Sequence, residues 1–184
     1  SLKSVFPNQL SDVTVDDFYK AANNVKPSLI RTNADELTYH LHVLIRYEIE
    51  KALIEGKIMV KDLPEIWNLK YQEYLGVEVP SDALGVLQDI HWSHGSFGYF
   101  PTYTIGSFYA AQFFNQAKIE NPNLLKEIEE GNNKNLLNWL RKNIHNNGKR
   151  LDADKLCEKI SGEKLNFKYF KEYVIEKYSK IYLL

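Results

Sequence analysis

The sequence predicts an all-α fold, because apolar residues recur at helical spacing between recognisable helix starts and stops. Seven segments show this pattern. Nowhere do apolar and polar residues alternate convincingly, as they do in a half-buried strand. Residues 58–60 form one short hairpin strand at most. With 184 residues, the chain is expected to be one domain or a large part of one.

The first predicted helix follows a weakly structured lead-in of ten residues. Thr14, with Asp17 three positions later, is typical of a capped helix start. Phe18, Ala21 and Ala22 are then expected to face inward.

The second predicted helix runs from Ala34 to about Glu55, with Asn33 as its capping residue and Gly56 as its stop. One broad side of this helix is apolar, and its members are Leu37, Leu41, Leu44, Ile45 and Ala52.

A different side of the same helix is predicted to carry four polar side chains within about 60° of one another. They are Asp35, Tyr39, His42 and Arg46. Such a row forms either a structural network that ties the helix to a neighbour or one wall of a catalytic cleft. Arg31, just before the helix, has a guanidinium that suits a bidentate carboxylate clamp, although an ordinary surface arginine has the same sequence context.

The third predicted helix begins at Asp62 and ends at Gly76. Its predicted inner face consists of Ile66, Trp67, Tyr71, Tyr74 and Leu75. A connector then leads to residues 85–92.

An uncharged stretch from Ile90 to Ala117 follows, although 26% of the whole chain is charged. Its many aromatic side chains and its glycines predict a tight loop that leads, from Pro101, into a buried helix ending near Ile119. Gly106 and Ala110 are expected to leave room for a close neighbour. Polar residues, Gly and Pro interrupt the stretch too often for a membrane-spanning helix.

Three amphipathic helices complete the prediction. The first ends at Gly148, the second is capped by Asp152 and ended by Gly162, and the third carries an apolar stripe from Phe167 onward.

Charge and cysteine content narrow the function classes. The formal net charge is −1, with 23 basic and 24 acidic residues spread along the chain, so we expect neither nucleic-acid nor membrane binding. Cys157 is the only cysteine, and the first residues lack the features of a signal peptide. We therefore expect a cytoplasmic protein.

The histidines do not predict a metal site. His40 and His42 point about 200° apart on a helix and cannot share one ion. His91 and His94 lack a third ligand in register, and the chain contains no His-Glu-x-x-His run. No metal ligand is therefore assigned.

Residues 30–39 read Ile-Arg-Thr-Asn-Ala-Asp-Glu-Leu-Thr-Tyr, and residues 85–92 read Gly-Val-Leu-Gln-Asp-Ile-His-Trp. These two runs resemble the signatures of the carboxypeptidase Taq family of metallocarboxypeptidases. Leu63-Pro64, Trp67-Asn68 and residues 98–103 also fit the family pattern. The resemblance covers nearly all of residues 1–184, but only the C-terminal part of a larger, mostly helical enzyme with a central groove.

The family's metal-binding His-Glu-x-x-His helix, its further glutamate in a His-Glu-Ser run and its Asp-x-Arg-x-Thr signature are absent from this sequence. The resemblance implies a parent enzyme that uses zinc or cobalt to remove C-terminal residues from peptides. This chain would then supply the substrate side of the groove, be inactive alone, and have the missing N-terminal part and a second copy as partners.

Roles for single residues follow from the resemblance only. Arg31 is the candidate clamp for the substrate carboxylate, and His91, Tyr99 and Tyr103 are candidate donors to the oxyanion. The other candidate substrate-binding residues are Asp35, Tyr39, His42, Arg46, Gln88 and Asp89. The first four would line or stiffen the opposite wall of the groove, and Asp89 would orient His91 or brace the loop. Each tyrosine is equally compatible with core packing.

Two other functions are compatible with the same residues. The chain is either a non-catalytic helical module that binds a peptide or a protein, or a metal-independent hydrolase that uses Asp89 and His91. The second has no paired nucleophile, because Ser93 and Ser96 lack a supporting context.

Overall fold

A computed structural model describes residues 2–184, and all regular secondary structure within that range is helical. The α-helices are α1 Leu2–Val5, α2 Pro7–Leu10, α3 Val15–Ala22, α4 Tyr39–Ile54, α5 Leu63–Leu75, α6 Pro101–Glu120, α7 Leu124–Glu129, α8 Lys134–Asn143, α9 Ala153–Ser161 and α10 Lys168–Tyr182. Short 3₁₀ turns occupy Arg31–Asn33, Val60–Asp62, Trp92–His94 and His145–Asn147. The all-α prediction is confirmed. The short strand that the sequence allows at residues 58–60 is not formed in the described range, where a bend and a 3₁₀ turn follow α4.

All seven predicted helices are present, and the short helices α1, α2 and α7 were not predicted. The two N-terminal ones replace part of the lead-in, whose first residue, Ser1, lies outside the described range. In α3 the predicted cap is confirmed: the Thr14 hydroxyl accepts a hydrogen bond from the amide of Asp17 at 3.0 Å. The prediction that Phe18, Ala21 and Ala22 face inward is wrong, because all three are exposed.

Helix α4 begins five residues later than predicted, at Tyr39, because Asp35 organises a turn before it. The Asp35 carboxylate accepts from the amides of Leu37 and Thr38, at 2.9 and 3.0 Å. Asn33 therefore does not cap the helix, and Asp35 precedes the helical row instead of belonging to it. Leu44, expected on the apolar side, is exposed.

The chain divides into two compact units, one ending at Pro101 and the other spanning Thr102–Leu184. The core of the first unit lies between α4 and α5. Its buried members are Ile45, Ile49, Trp67, Tyr71 and Leu75. Residues three or four positions apart share one side of a helix, so two residues from α4 and three from α5 meet along one seam.

The C-terminus of α5 confirms the predicted stop. Gly76 adopts φ 63°, a left-handed conformation, and its amide bonds to the carbonyl of Gln72 at 3.1 Å. The predicted inner face is also confirmed, with Trp67, Tyr71 and Leu75 buried and Ile66 and Tyr74 packed against them.

The second unit has its own core around Ala117, Leu124 and Trp139. Gln112 of α6 is fully buried and donates to the Ser161 hydroxyl at 2.8 Å. Along α6, Gln112 and Ala117 are the fully buried residues, so the expectation of a buried helix is wrong for the described residues.

Gly106 and Ala110 do not make the expected close approach within the described residues. A Cβ at Gly106 would meet nothing within 4 Å, and Ala110 is exposed. Among residues 2–184, no helix combines the length and the apolar character needed to cross a bilayer.

Candidate active-site wall

The candidate site of the first unit is centred on the Asp89 carboxylate, which two arginines share. Arg31 donates to Asp89 Oδ1 from Nη2 at 2.7 Å and from Nε at 3.1 Å. Arg46 donates to Asp89 Oδ2 at 2.6 Å. The side chains of Arg31, Arg46 and Asp89 are 8%, 0% and 11% exposed. The arrangement is thus a largely buried ion triad.

Gln88 and Tyr39 extend this triad. The Gln88 side-chain oxygen accepts from Arg46 Nη2 at 2.9 Å and from the backbone amide of Arg31 at 3.0 Å. Arg31 Nη1 donates to the Tyr39 hydroxyl at 2.9 Å. The structure therefore brings together five of the predicted residues from three separate segments, and this set is called the Asp89 network below.

Two positive charges and one negative charge leave the Asp89 network with one excess positive charge. Burial raises the pKa of Asp89, but hydrogen bonds from Arg31 and the charge of Arg46 outweigh burial and hold this pKa below its ordinary value. Burial likewise opposes the charge of Arg31, and its bonds to Asp89 reverse that effect and raise the pKa of Arg31. Asp89 and Arg31 are therefore both charged at neutral pH.

Aromatic rings cover the guanidinium groups. Arg46 Cζ lies 4.6 Å from the centroid of the Trp67 ring and 5.4 Å from that of Phe100. Arg31 Cζ lies 5.6 Å from the Phe100 centroid. Cation–π contacts of this kind add stability when the cation is desolvated. Phe100 thus connects both arginines with the loop that precedes α6.

His42 lies under the Asp89 network and is fully buried. Burial, followed by the charges of Arg46 and Arg31, lowers the pKa of His42 to about 4. The Tyr71 hydroxyl lies 3.1 Å from His42 Nδ1 and also accepts from Arg46 at 3.3 Å. The Tyr71 hydroxyl therefore links the His42 imidazole with the Arg46 guanidinium.

His91 lies beside the Asp89 network on the loop before α6. Its ring centroid is 4.3 Å from that of Phe100 and 5.8 Å from that of Tyr99. Burial and the nearby Arg31 lower the pKa of His91, while Asp89 opposes them, so the imidazole is neutral at pH 7. His91 is largely buried, whereas Tyr99 is about half exposed. Two predicted donors therefore lie close together, one of them open to solvent.

Asp35 makes its hydrogen bonds outside the Asp89 network. The Asp35 carboxylate bonds to the amides of Lys26, Leu37 and Thr38. Its hydrogen bonds therefore shape the turn before α4. Tyr103 lies in the first turn of α6, in the second unit.

Sequence reasoning missed Glu50, a buried carboxylate on α4. It accepts hydrogen bonds from the indole of Trp92 and from the amide of Gly98. One signal was present in the sequence: Glu50 follows Arg46 by four positions, so it continues the polar row of Tyr39, His42 and Arg46. The sequence pattern assigns no functional role to Trp92 or Phe100.

Within residues 2–184, no group of three or more His, Cys, Asp or Glu side chains is placed to hold a metal ion. The rings of His91 and His94 are 6.0 Å apart, but no third ligand joins them among the residues described.

The fold and the two motif segments define a class of helical metallopeptidase. Residues 1–178 match the sequence model of the carboxypeptidase Taq (M32) metallopeptidases, and the chain therefore belongs to this family. The family predicted from residues 30–39 and 85–92 is confirmed.

Among individual relatives, the chain is 45% identical over 183 residues to carboxypeptidase 1 of Bacillus subtilis, covering 100% of this chain and 36% of the relative. It is 46% identical over 173 residues to thermostable carboxypeptidase 1 of Thermus thermophilus, covering 94% of this chain and 34% of the relative. The crystal structure of an M32 carboxypeptidase from Deinococcus radiodurans superposes with a TM-score of 0.96 at 40% identity, covering 100% of this chain and 37% of that one. The chain spans about a third of the length of these relatives.

Proposed function

We propose that this chain forms the substrate-side wall of the groove in a metal-dependent carboxypeptidase and corresponds to the C-terminal part of that enzyme. Membership of the M32 family and the partial coverage of its relatives support this proposal. The His-Glu-x-x-His run that the family resemblance implies is not part of this sequence. The zinc or cobalt ion would therefore be bound by other residues of the same enzyme, and it would activate the water that attacks the peptide.

The observation that carries the proposal is the Asp89 network, which fixes residues 30–39 and 85–92 against each other. Rigid placement of polar groups is what a peptide-binding wall requires. Its excess positive charge favours an anion, and the free carboxylate of a peptide C-terminus is the anion that a carboxypeptidase must recognise. Arg31 is the less completely buried of the two arginines, with its side chain 8% exposed against 0% for Arg46, so it keeps the proposed role of carboxylate recognition.

The remaining residues take supporting roles in this proposal. His91, Tyr99 and Tyr103 are the candidate hydrogen-bond donors to the oxyanion that forms during hydrolysis. Neutral His91 suits this role because an imidazole N–H donates without a net charge. Tyr39, Arg46, Gln88 and Asp89 hold Arg31 in place, while Asp35 and His42 stiffen the start of α4.

Arg31→Ala in the full-length enzyme tests the proposed carboxylate recognition. Hydrogen bonds to charged groups contribute about 1.5–3 kcal/mol, so we expect KM for peptides with a free C-terminus to rise about tenfold or more. The exposed Arg141, changed to Ala, is the control and should leave KM unchanged. An unchanged KM for Arg31→Ala would remove Arg31 from substrate recognition. Peptide binding without any turnover by the full-length protein would instead favour a non-catalytic peptide-binding module.

A further inference from the structure

Glu50 is a buried carboxylate whose two oxygens hold both ends of one loop. Its side chain projects from α4, and the residue is 4% exposed. Oε1 accepts from Trp92 Nε1 at 2.6 Å, and Oε2 accepts from the amide of Gly98 at 3.0 Å. Neither of these two donors is a cation. A carboxylate is costly to bury, so these two bonds compensate a real desolvation penalty.

The loop that Glu50 holds, residues 92–98, has little other regular structure. It contains one 3₁₀ turn, Trp92–His94, and Gly95 and Gly98 have φ of 81° and 74°. Both glycines therefore occupy a conformation that other residues adopt only at a cost. The Trp92 ring stacks on Phe97 and meets Trp67 edge-on. The two Glu50 bonds thus fasten the beginning and the end of the loop to the rigid helix α4.

The anchored residues are the immediate neighbours of two candidate donors. His91 precedes Trp92, and Tyr99 follows Gly98. Any displacement of either anchor therefore moves a side chain that the proposed function places at the reacting carbonyl. Displacements of about 1 Å are sufficient to lower catalytic rates on the order of 100-fold.

We propose that Glu50 is a positioning residue, which fixes the 92–98 loop and thereby sets the positions of His91 and Tyr99 for peptide hydrolysis. The catalytic half of this inference rests on the proposed function. The anchoring half does not, because it is a statement about the loop alone.

Glu50→Gln in the full-length enzyme tests both halves. A glutamine has one acceptor oxygen, so its amide group must face either Trp92 or Gly98, both of which are donors. We expect hydrogen exchange of the amides in residues 92–99 to become about tenfold faster or more. We also expect kcat to fall on the order of 10- to 100-fold, with KM changed less than about threefold, because the loop acts in the transition state.

Glu48→Gln is the matched control. Glu48 lies on the same helix, two residues earlier, and binds Lys70 and Tyr74 instead of the loop. Its change should leave both loop exchange and kcat unaltered.

Combining Glu50→Gln with Trp92→Phe provides a rescue experiment. Phenylalanine lacks the indole N–H, so the glutamine oxygen can turn to Gly98 without opposing a second donor. We expect the double variant to have a higher kcat and slower loop exchange than Glu50→Gln alone. If Glu50 had only a general structural role, the two damaging changes would add, and the double variant would have a lower kcat and faster loop exchange than Glu50→Gln alone.

Three results would overturn the inference in distinguishable ways. Unchanged loop exchange in Glu50→Gln would show that Glu50 does not anchor the loop. Faster exchange with kcat within twofold of wild type would show that the anchor does not position catalytic groups. Absence of peptidase activity in the wild-type full-length protein would overturn the proposed function and the catalytic half, while the exchange data would still decide the anchoring half.

Discussion

The Asp89 carboxylate joins two arginines from different segments of the first unit. This carboxylate is the only negative charge in the Asp89 network, and it faces Arg31 and Arg46 with only 11% of its side chain exposed. Removing one charge from a buried group of ions leaves the others uncompensated. The same residue joins segments that are more than forty positions apart in the sequence.

Replacement of Asp89 by Asn should therefore be severely destabilising. We expect the free energy of unfolding to fall by about 3–5 kcal/mol, because two guanidinium groups lose their counter-ion. Glu176→Gln is the control, since Glu176 forms an exposed pair with Lys180 at 2.7 Å that contributes little. Urea unfolding measures both. A loss at Asp89 no larger than at Glu176 would contradict the picture of a buried triad.

His42 should make stability depend on pH. Its pKa is about 4 in the folded protein and about 6.5 when unfolded, so between these values the unfolded state binds more protons. The free energy of unfolding should therefore rise with pH from about 4 to 6.5, by on the order of 3 kcal/mol from this residue, and be fully gained above 6.5. His42→Gln should reduce that slope in urea unfolding.

The curves above pH 6.5 provide an internal control for His42. Wild type and His42→Gln should run parallel there, separated only by the constant effect of the substitution. Equal slopes of the two proteins between pH 4 and 6.5 would show that His42 does not titrate as proposed.

At the scale of helices, the capping and stop signals in the sequence predict that a helix exists better than they predict the residues at which it begins and ends. Thr14 and Gly76 act as expected, because their effects are local. The predicted start of α4 is wrong because Asn33 and Asp35 are both short polar residues, and it is Asp35 that organises the turn through the amides of Leu37 and Thr38. The Asp35 carboxylate also accepts a bond from the amide of Lys26. That contact spans nine positions, and no helical pattern encodes it.

In the candidate site, too, the sequence predicts local neighbours but not contacts between distant segments. The polar row on α4 identified Tyr39, His42 and Arg46 as neighbours, since helical spacing alone places them together. It could not show that Arg31 is paired with Asp89, because that contact joins residues 58 positions apart. The sequence could not show the hydrogen bonds of Glu50 to Trp92 and Gly98 either, because they also join distant segments. Helical spacing does place Glu50 in the polar row of α4.

Gly76 and Gly106 are expected to respond in opposite ways to replacement by alanine. Gly76 has a left-handed backbone conformation, whereas Gly106 lies on an open surface of α6. Gly76→Ala should lower the free energy of unfolding by about 1–2 kcal/mol, because φ 63° is strained for alanine. Gly106→Ala should raise it by about 0.5–1 kcal/mol, because α6 gains helix propensity and the added Cβ meets nothing within 4 Å. Thermal unfolding of the full-length protein measures both. A loss at Gly106 would mean that another part of the enzyme packs on this face.

At the scale of the whole molecule, the chain covers about a third of its relatives and exposes large apolar side chains near the candidate site. Ile90 and Phe97 are 70% and 50% exposed. Apolar surface next to a polar network is typical of a wall that peptide or further chain covers. This agrees with a division of labour in which the present residues hold the substrate and other residues hold the metal.

The most direct test of that division measures the release of C-terminal amino acids from an N-blocked peptide with a free carboxylate. The 184-residue chain and the full-length enzyme are each assayed with added zinc or cobalt, and a C-terminally amidated peptide is the substrate control. We predict metal-dependent release by the full-length enzyme and none by the 184-residue chain. Metal-dependent turnover by the chain alone would contradict the account.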